Sequence, residues 1–314
     1  MGRRCVKRRR RDESLESVAI ALVLISSVMH AGWNSFGKSK APTASFFLVA
    51  TVGGLILLAF APICFPEVAA GYTQRDLALV IAAGLFEAIY LSSLAGGYRT
   101  GDLSLVYPLA RSLPAVTVTI GSVLLGRSDN IDILCWIGAG LIVIGCVFLP
   151  LDTFTSIRLS NYLSPAFLFA MMAALGTTGY SLADDTALRD LRLAHPDLHP
   201  AWVSLSYSFN QVLATFLWLG LYVFVRPSGK EVFRLAAGDW RHAIPTGAFI
   251  ALTYSVVLVA LAFTRDVSYV VAFRQASIPI GAAIGVMFFK EKMPLPKLAG
   301  IGIIVTGLIL VSIP

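Results

Sequence analysis

The sequence predicts an all-α integral membrane protein whose ten transmembrane helices form two inverted five-helix repeats. Of its 314 residues, 57% are apolar and only 14% are charged, whereas soluble chains carry about 25% charged residues. The apolar residues form runs of roughly 17–25, the length that a helix needs to cross a hydrocarbon core. Polar and glycine residues of the first half recur in the second half. Together these observations argue against a water-soluble enzyme.

The chain begins with a basic tail, residues 1–16. Seven of the 25 Lys and Arg residues lie between Arg3 and Arg11. Because a long apolar run follows directly, we expect the tail to lie on the anionic cytoplasmic face of a bilayer and not to bind nucleic acid. The first run has no small-residue cleavage site, so we expect it to be retained as a signal anchor. We predict the plasma (bacterial inner) membrane, with both termini cytoplasmic.

Ten apolar runs follow the tail. They cover 17–37, 41–65, 77–98, 103–126, 133–151, 162–183, 201–225, 243–264, 267–289 and 298–314. We assign 17–151 to the first repeat and 162–314 to the second. The longer connections, 184–200 and 226–242, have room for no more than a brief interfacial helix each. No segment is left for a soluble nucleotide-binding domain.

The internal repeat is the most informative pattern. One constant shift aligns Tyr90 with Tyr254 and Gly121 with Gly285, and it also aligns Thr100, Asp102, Ser104 and Val106 with Thr264, Asp266, Ser268 and Val270. A shift two residues smaller aligns Gly138, Gly140 and Gly145 with Gly300, Gly302 and Gly307. Five spans per unit is an odd number, so the second unit enters the membrane from the other side. Inverted repeats of this kind suit alternating access.

Metal, redox and cofactor chemistry is not expected. The four cysteines have neither metal-site nor disulfide-framework spacing. His195 and His199 are separated by Pro196, which breaks the helix that would place both rings on one face. Paired aspartates within spans, an H-E-x-x-H motif and a G-x-S-x-G serine are also missing. We therefore expect no cofactor and no enzymatic activity.

Three segments carry a family resemblance. They are His30-Ala-Gly-Trp-Asn34, Gly101-Asp-Leu-Ser-Leu-Val-Tyr-Pro-Leu-Ala-Arg111 and Phe273-Arg-Gln275. On these residues the chain resembles the EamA-like family of the drug/metabolite transporter superfamily. The resemblance implies ten helices and the export or exchange of small metabolites, and it does not identify the substrate. Gly126-Arg127 and Lys290-Glu291 stand where this family usually has a Gly/Lys-Glu pair, and Arg127 departs from that pattern.

Few titratable residues lie within the predicted spans. A charge inside a span costs at least about 2.5 kcal/mol, so each one is expected to be paired, hydrated or functional. Glu87, Arg111 and Arg274 are such charges, and His30 is a fourth titratable group. Counting about 1.5 Å per residue places His30, Glu87 and Arg111 at similar depths, which predicts that they face a shared central cavity.

Two readings of these charges stay open. Glu87, the only carboxylate that we place deep within a span, either neutralises Arg111 as a lock between helices or carries a coupling proton. Arg274 has no acidic partner in its half, so an anionic group on the substrate is its expected counter-ion. His30 is either a packing residue or a ligand.

Our candidate substrate-binding residues come from six spans: His30, Trp33, Asn34, Tyr90, Tyr107, Arg111, Tyr180, Tyr254, Arg274 and Gln275. The expected function is export of a small polar or anionic metabolite, with the lipid bilayer and a coupling proton as the other partners. The alternatives are an importer or exchanger of organic anions such as phosphonates or phosphorylated metabolites, and a non-transporting protein such as a lipid scrambler or receptor. A homodimer and a monomer are both compatible with the sequence.

Overall fold

The computed structural model describes residues 2–40, 42–124, 133–225, 229–235, 238, 240–260 and 274–311. Within these residues the chain is helical, with short connections and no β-strand. The predictions made for Gly126, Arg127 and positions 264–270 lie outside the described residues. The helices are α1 Gly2–Ser39, α2 Ala44–Leu58, α3 Phe60–Cys64, α4 Pro66–Ala70, α5 Gln74–Thr100, α6 Leu103–Leu124, α7 Ile133–Phe148, α8 Leu159–Tyr162, α9 Pro165–Ala194, α10 Pro200–Phe224, α11 Gly229–Arg234, α12 Trp240–Ala260, α13 Ser277–Phe289 and α14 Leu295–Val311.

Five helical segments are long and apolar enough to cross a membrane. They are Ile20–Ser39, Ala44–Cys64, Gln74–Thr100, Leu103–Gly121 and Pro165–Ala194. Three shorter apolar helices accompany them: α7, α13 and α14. The lengths of α10 and α12 are 25 and 21 residues. Within the described residues the protein is therefore all-helical and compatible with a membrane protein, while ten crossings and the inverted repeat stay predictions.

The outward surface of α7 is also compatible with a membrane protein. One face of the helix is buried, with Ile142 at 0% and Cys146 at 5% exposure. The opposite face is also apolar, and both Ile137 and Ile144 are 49% exposed. A helix that is apolar on its exposed face as well as its buried face is typical of contact with lipid.

Several helix ends are set by local sequence signals. Thr73 and Asp76 form a reciprocal capping box at the start of α5, which satisfies backbone N–H groups that have no partner inside the helix. Ser164 caps α9, and Pro165 follows at the first helical position. The predicted run 41–65 is divided into α2 and α3, with a break between Leu58 and Phe60.

The predicted boundary after position 183 is wrong. Instead of a connection at 184–200 with no more than a brief interfacial helix, α9 continues without interruption to Ala194. No helix-breaking residue occurs until Pro196, so the helix outlasts the apolar run on which the boundary was based. Asp184 consequently belongs to a long helix and is only 3% exposed. The other long connection does contain a brief helix, α11.

Two glycine pairs bring α7 and α14 into close contact. A Cβ atom added to Gly138 would lie 2.5 Å from the carbonyl oxygen of Gly307, and one added to Gly145 would lie 2.7 Å from that of Gly300. The residue numbers rise along one helix as they fall along the other, so the two helices cross antiparallel. Small residues permit such backbone approach between membrane helices.

Candidate functional site

A cavity lies among the long helices, and about 820 Å³ of space free of protein atoms, part of it open to solvent, belongs to it. Its wall is built by α1, α2, α5, α9, α10 and α12, together with Arg274, which lies just before α13. Seven of the predicted site residues line it, namely His30, Trp33, Glu87, Tyr90, Tyr180, Tyr254 and Arg274. The helices of both halves of the chain therefore contribute to one internal site.

The cavity contains one acidic and one basic side chain without a partner. In the part of the chain that the structure describes, neither the Glu87 carboxylate nor the Arg274 guanidinium makes a hydrogen bond or an ion pair, and both line the cavity. Unpaired charges are costly inside a membrane protein unless water or a ligand reaches them. The cavity can accordingly hold a small polar molecule between groups of opposite charge.

Aromatic rings form much of the remaining wall. The rings of Tyr90 and Tyr180 meet edge to face with centroids 6.0 Å apart, and the ring of His30 lies 5.1 Å from that of Trp33. Such rings provide flat apolar surface and, in tyrosine, a polar hydroxyl group. The site is therefore amphipathic.

A hydrogen-bond network lies behind His30. Its Nδ1 atom is 3.0 Å from the Tyr107 hydroxyl and 3.0 Å from Nδ2 of Asn34. The Asn34 amide also donates to the His30 carbonyl oxygen at 2.7 Å, and Tyr98 donates to Oδ1 of Asn34 at 2.5 Å. Asn34 and Tyr107 are buried and do not line the cavity, and each is in hydrogen-bond contact with Nδ1 of His30, which does line it.

Arg111 also lies outside the cavity wall. Its guanidinium donates to the Arg274 carbonyl oxygen at 3.5 Å and to the Ser277 hydroxyl at 3.4 Å. Among the described residues it forms no ion pair with Glu87. Gln275, which is 9% exposed, is likewise absent from the wall. Arg111 thus holds the segment before α13 that carries Arg274.

Sequence reasoning missed a second buried carboxylate, and Glu87 is not the only one inside the helix bundle. Asp184 accepts a hydrogen bond of 2.6 Å from Tyr207 and one of 2.7 Å from Tyr254. Tyr254 also lines the cavity. The uninterrupted helical sequence up to Pro196 was a signal for the placement of Asp184 within α9. No sequence signal pairs it with tyrosines on α10 and α12.

Smaller polar residues of the cavity were also missed. They are Ser26, Thr51, Gln211, Thr215 and Thr253. Hydroxyl groups in membrane helices commonly bond to their own backbone, as Thr215 does to the Gln211 carbonyl at 2.9 Å. Sequence alone therefore does not distinguish them from packing residues.

A polar network joins five helices at one end of the bundle. The Glu291 carboxylate accepts the backbone N–H groups of Leu103 and Ser104, at 2.7 and 2.8 Å, where α6 begins. A carboxylate is favoured at a helix N-terminus because the N–H groups there have no partner within the helix. Lys297, 7% exposed, lies 3.5 Å from Asp102. These contacts join α13 and α14 of the second half to α6 of the first.

Two further contacts complete this network. Lys38 of α1 donates to the Tyr98 carbonyl at 2.7 Å and to the Gly101 carbonyl, both at the end of α5. Lys290 has a positive φ of 54°, and the N–H of Glu291 donates back to the Gly285 carbonyl at 3.1 Å. The left-handed residue ends α13 and directs Glu291 towards α6. The Lys290-Glu291 pair therefore joins two helices.

Within the described ranges, no group of three His, Cys, Asp or Glu side chains is arranged to hold a metal ion. His195 and His199 lie at the end of α9 and the start of α10, away from the cavity wall.

No protein-family model matches the chain, and no curated protein matches it. Among solved structures, 22 chains match. One of them, described only as "Crystal structure of protein", is 15% identical and covers 95% of both chains with a TM-score of 0.48. A likeness of this size supports no argument about function.

Proposed function

We propose that the protein is a secondary transporter of the EamA-like kind that moves a small polar or anionic metabolite outward across the plasma membrane by alternating access. The observation that carries this proposal is the central cavity, which helices of both halves surround. Glu87 and Arg274 line it, and neither side chain has a hydrogen bond or an ion pair among the described residues. Transporters built from inverted repeats bind substrate near the bilayer midplane, between the repeats.

The contacts between helices support the repeat. The repeat equates α1, α2, α5, α6 and α7, in that order, with α9, α10, α12, α13 and α14. A contact between two helices should then recur between the two helices that are equated with them. α5 packs against α9 and α10, and α12 packs against α1 and α2. The contact of α6 with α9 is likewise matched by that of α13 with α1. These pairs support a half-turn relating the two units.

The glycine crossing gives a residue-level test of the same symmetry. The sequence repeat equates Gly138 with Gly300 and Gly145 with Gly307. A two-fold axis would therefore convert the contact of Gly138 with Gly307 into that of Gly300 with Gly145, and both contacts are present. Because α7 and α14 are antiparallel, such an axis lies across the helices, as an inverted repeat requires.

Glu87 is the proposed coupling carboxylate. Both oxygens of the other buried carboxylate, Asp184, are held by tyrosine hydroxyls, whereas the Glu87 carboxylate has no hydrogen-bond partner among the described residues. A carboxylate that faces a cavity without a fixed partner can bind and release a proton as the site opens to each side. The absence of a described Glu87–Arg111 ion pair favours this role over a lock between helices.

A second candidate is the exchange of organic anions. It is favoured by the Arg274 guanidinium, which lines the cavity and has no acidic partner among the described residues. Arginine is well suited to bind carboxylate and phosphate groups through two parallel hydrogen bonds. Exchange and export differ in whether net flux requires substrate on both sides of the membrane.

The deciding experiment uses purified protein in liposomes. A thermal-shift screen of organic carboxylates, phosphonates, sugar phosphates and amino acids identifies a ligand, and its labelled form is then followed across the liposome membrane. Uptake driven by a pH gradient supports coupled transport, while uptake only into liposomes preloaded with substrate supports exchange. No flux of any ligand, together with rapid transfer of fluorescent phospholipid between leaflets, would contradict the proposal in favour of a scrambler.

A further inference from the structure

We propose that His30 presents its Nε2–H group to the central cavity as a fixed hydrogen-bond donor, and that Asn34 and Tyr98 set this state from outside the cavity. The site then requires an oxygen acceptor on the ligand at this point of the wall. The position of the ring hydrogen follows from hydrogen-bond geometry alone. Its consequence for substrate recognition rests on the proposed function.

The first step is the orientation of the Asn34 amide. Its Nδ2 atom is 2.7 Å from the carbonyl oxygen of His30, one helical turn earlier. With the amide reversed, two acceptor oxygens would face each other at that distance, which is repulsive. Tyr98 donates to the other end of the amide at 2.5 Å. The contact with the His30 carbonyl therefore requires the nitrogen to face His30, and the Tyr98 hydroxyl, which can donate or accept, donates to the oxygen at the other end.

The second step is the state of the imidazole ring. Nδ2 of Asn34 is a donor without accepting capacity, and it lies 3.0 Å from Nδ1 of His30. Nδ1 must therefore accept this hydrogen bond and carries no hydrogen. The Tyr107 hydroxyl, also 3.0 Å from Nδ1, is able to donate to the same atom. A neutral imidazole has one N–H group, so the hydrogen is on Nε2.

The third step is the position of this donor. His30 lines the cavity, and Nδ1 makes all the side-chain hydrogen bonds that the structure records for the ring. Nε2–H is therefore available to a ligand. Arg274, on the same wall, is a donor as well, and together they suit a carboxylate, phosphoryl or similar oxygen. If a ligand placed an N–H group at His30, two hydrogen-bond donors would face each other without an acceptor. A site of this kind discriminates against such a ligand.

Asn34 and Tyr98 are positioning residues in this scheme, because neither lines the cavity. Tyr98 is 2% exposed and Asn34 is 1% exposed. The same scheme excludes His30 as an acceptor for a coupling proton while the network is intact, since Nδ1 is already occupied by donors.

The test is nitrogen-15 NMR of the purified full-length protein labelled at its four histidines. The His30 signals are identified by their loss in His30→Gln. We expect one neutral ring form with the hydrogen on Nε2. A dominant form with the hydrogen on Nδ1, or rapid averaging of the two forms, would overturn the proposal without affecting the case for transport.

Asn34→Asp is the decisive variant. It keeps the shape of the side chain but replaces the donor beside Nδ1 with an acceptor, so we expect the hydrogen to move to Nδ1. Asn210→Asp is the matched control, because Asn210 donates to Tyr72 and not to His30, and its His30 signals should stay unchanged. An unchanged His30 spectrum in a folded Asn34→Asp protein would remove Asn34 from the scheme.

A milder variant guards against misfolding. Tyr98→Phe removes only the hydroxyl that bonds to the amide oxygen, and we expect a partial shift towards the ring form with the hydrogen on Nδ1.

Once a ligand is known, His30→Gln keeps an N–H donor near the Nε2 position and should retain binding. His30→Ala should weaken binding at least about tenfold, the effect of losing one hydrogen bond of about 1.4 kcal/mol. Equal binding by both variants would show that the Nε2–H group is not used.

Discussion

Tyr254 lines the central cavity, and its hydroxyl donates a hydrogen bond of 2.7 Å to Asp184. Tyr207 donates to the other oxygen of the same carboxylate and does not line the cavity. Three helices, α9, α10 and α12, meet at this carboxylate. Tyr254, a residue of the proposed binding site, is thus hydrogen-bonded directly to the buried Asp184 carboxylate between these helices.

This relationship predicts different effects for the two tyrosines. Tyr207→Phe and Tyr254→Phe each leave one carboxylate oxygen without a donor, so each should lower the free energy of unfolding by about 1–3 kcal/mol. Only Tyr254→Phe should also change ligand affinity or flux. Thermal unfolding in detergent and flux in liposomes measure the two effects, and equal loss of flux in both variants would contradict this separation.

Glu87→Gln tests proton coupling. Glutamine mimics the protonated carboxylic acid, so the variant should bind substrate and exchange labelled for unlabelled substrate while losing uphill movement driven by a pH gradient. Asp184→Asn is the comparison, because its carboxylate is held by two tyrosines and its main effect should be on stability. A Glu87→Gln protein that still concentrates substrate would place the coupling elsewhere.

Arg274→Ala tests the recognition of an anion. Loss of a hydrogen bond to a charged group costs about 1.5–3 kcal/mol, so affinity for an anionic ligand should fall by about ten- to a hundredfold. Arg111→Ala should reduce flux as well, because its guanidinium holds the Arg274 backbone. Arg99→Ala, at an exposed position, is the control. Unchanged binding in both buried-arginine variants would remove the anion hypothesis.

The glycine crossing predicts a position-specific effect on stability. A Cβ on Gly307 would lie 2.6 Å from the Gly138 carbonyl oxygen, whereas one on Gly302 meets nothing within 4 Å. Gly307→Ala should therefore separate α7 from α14 and cost about 1–3 kcal/mol. Gly302→Ala should leave stability unchanged or raise it. Thermal unfolding of the two variants measures this, and equal midpoints would contradict the close crossing.

Local sequence signals account for much of the helical architecture. Apolar runs of spanning length indicated the helices, and caps such as Thr73 with Asp76 have a recognisable spacing. The end of α9 was misplaced because hydropathy marks where a helix leaves the apolar region, while the helix itself ends at a backbone signal such as Pro196. The two boundaries need not coincide.

The sequence by itself indicated the apolar, helical character of the chain and placed His30, Glu87 and Arg111 at similar depths within predicted spans. Only the tertiary structure decided which of these groups meet. Arg111 bonds to the backbone of Arg274 instead of facing Glu87, and Asp184 is held by tyrosines of two other helices. These outcomes depend on the rotation of each helix about its axis, which is set by packing contacts between residues distant in sequence.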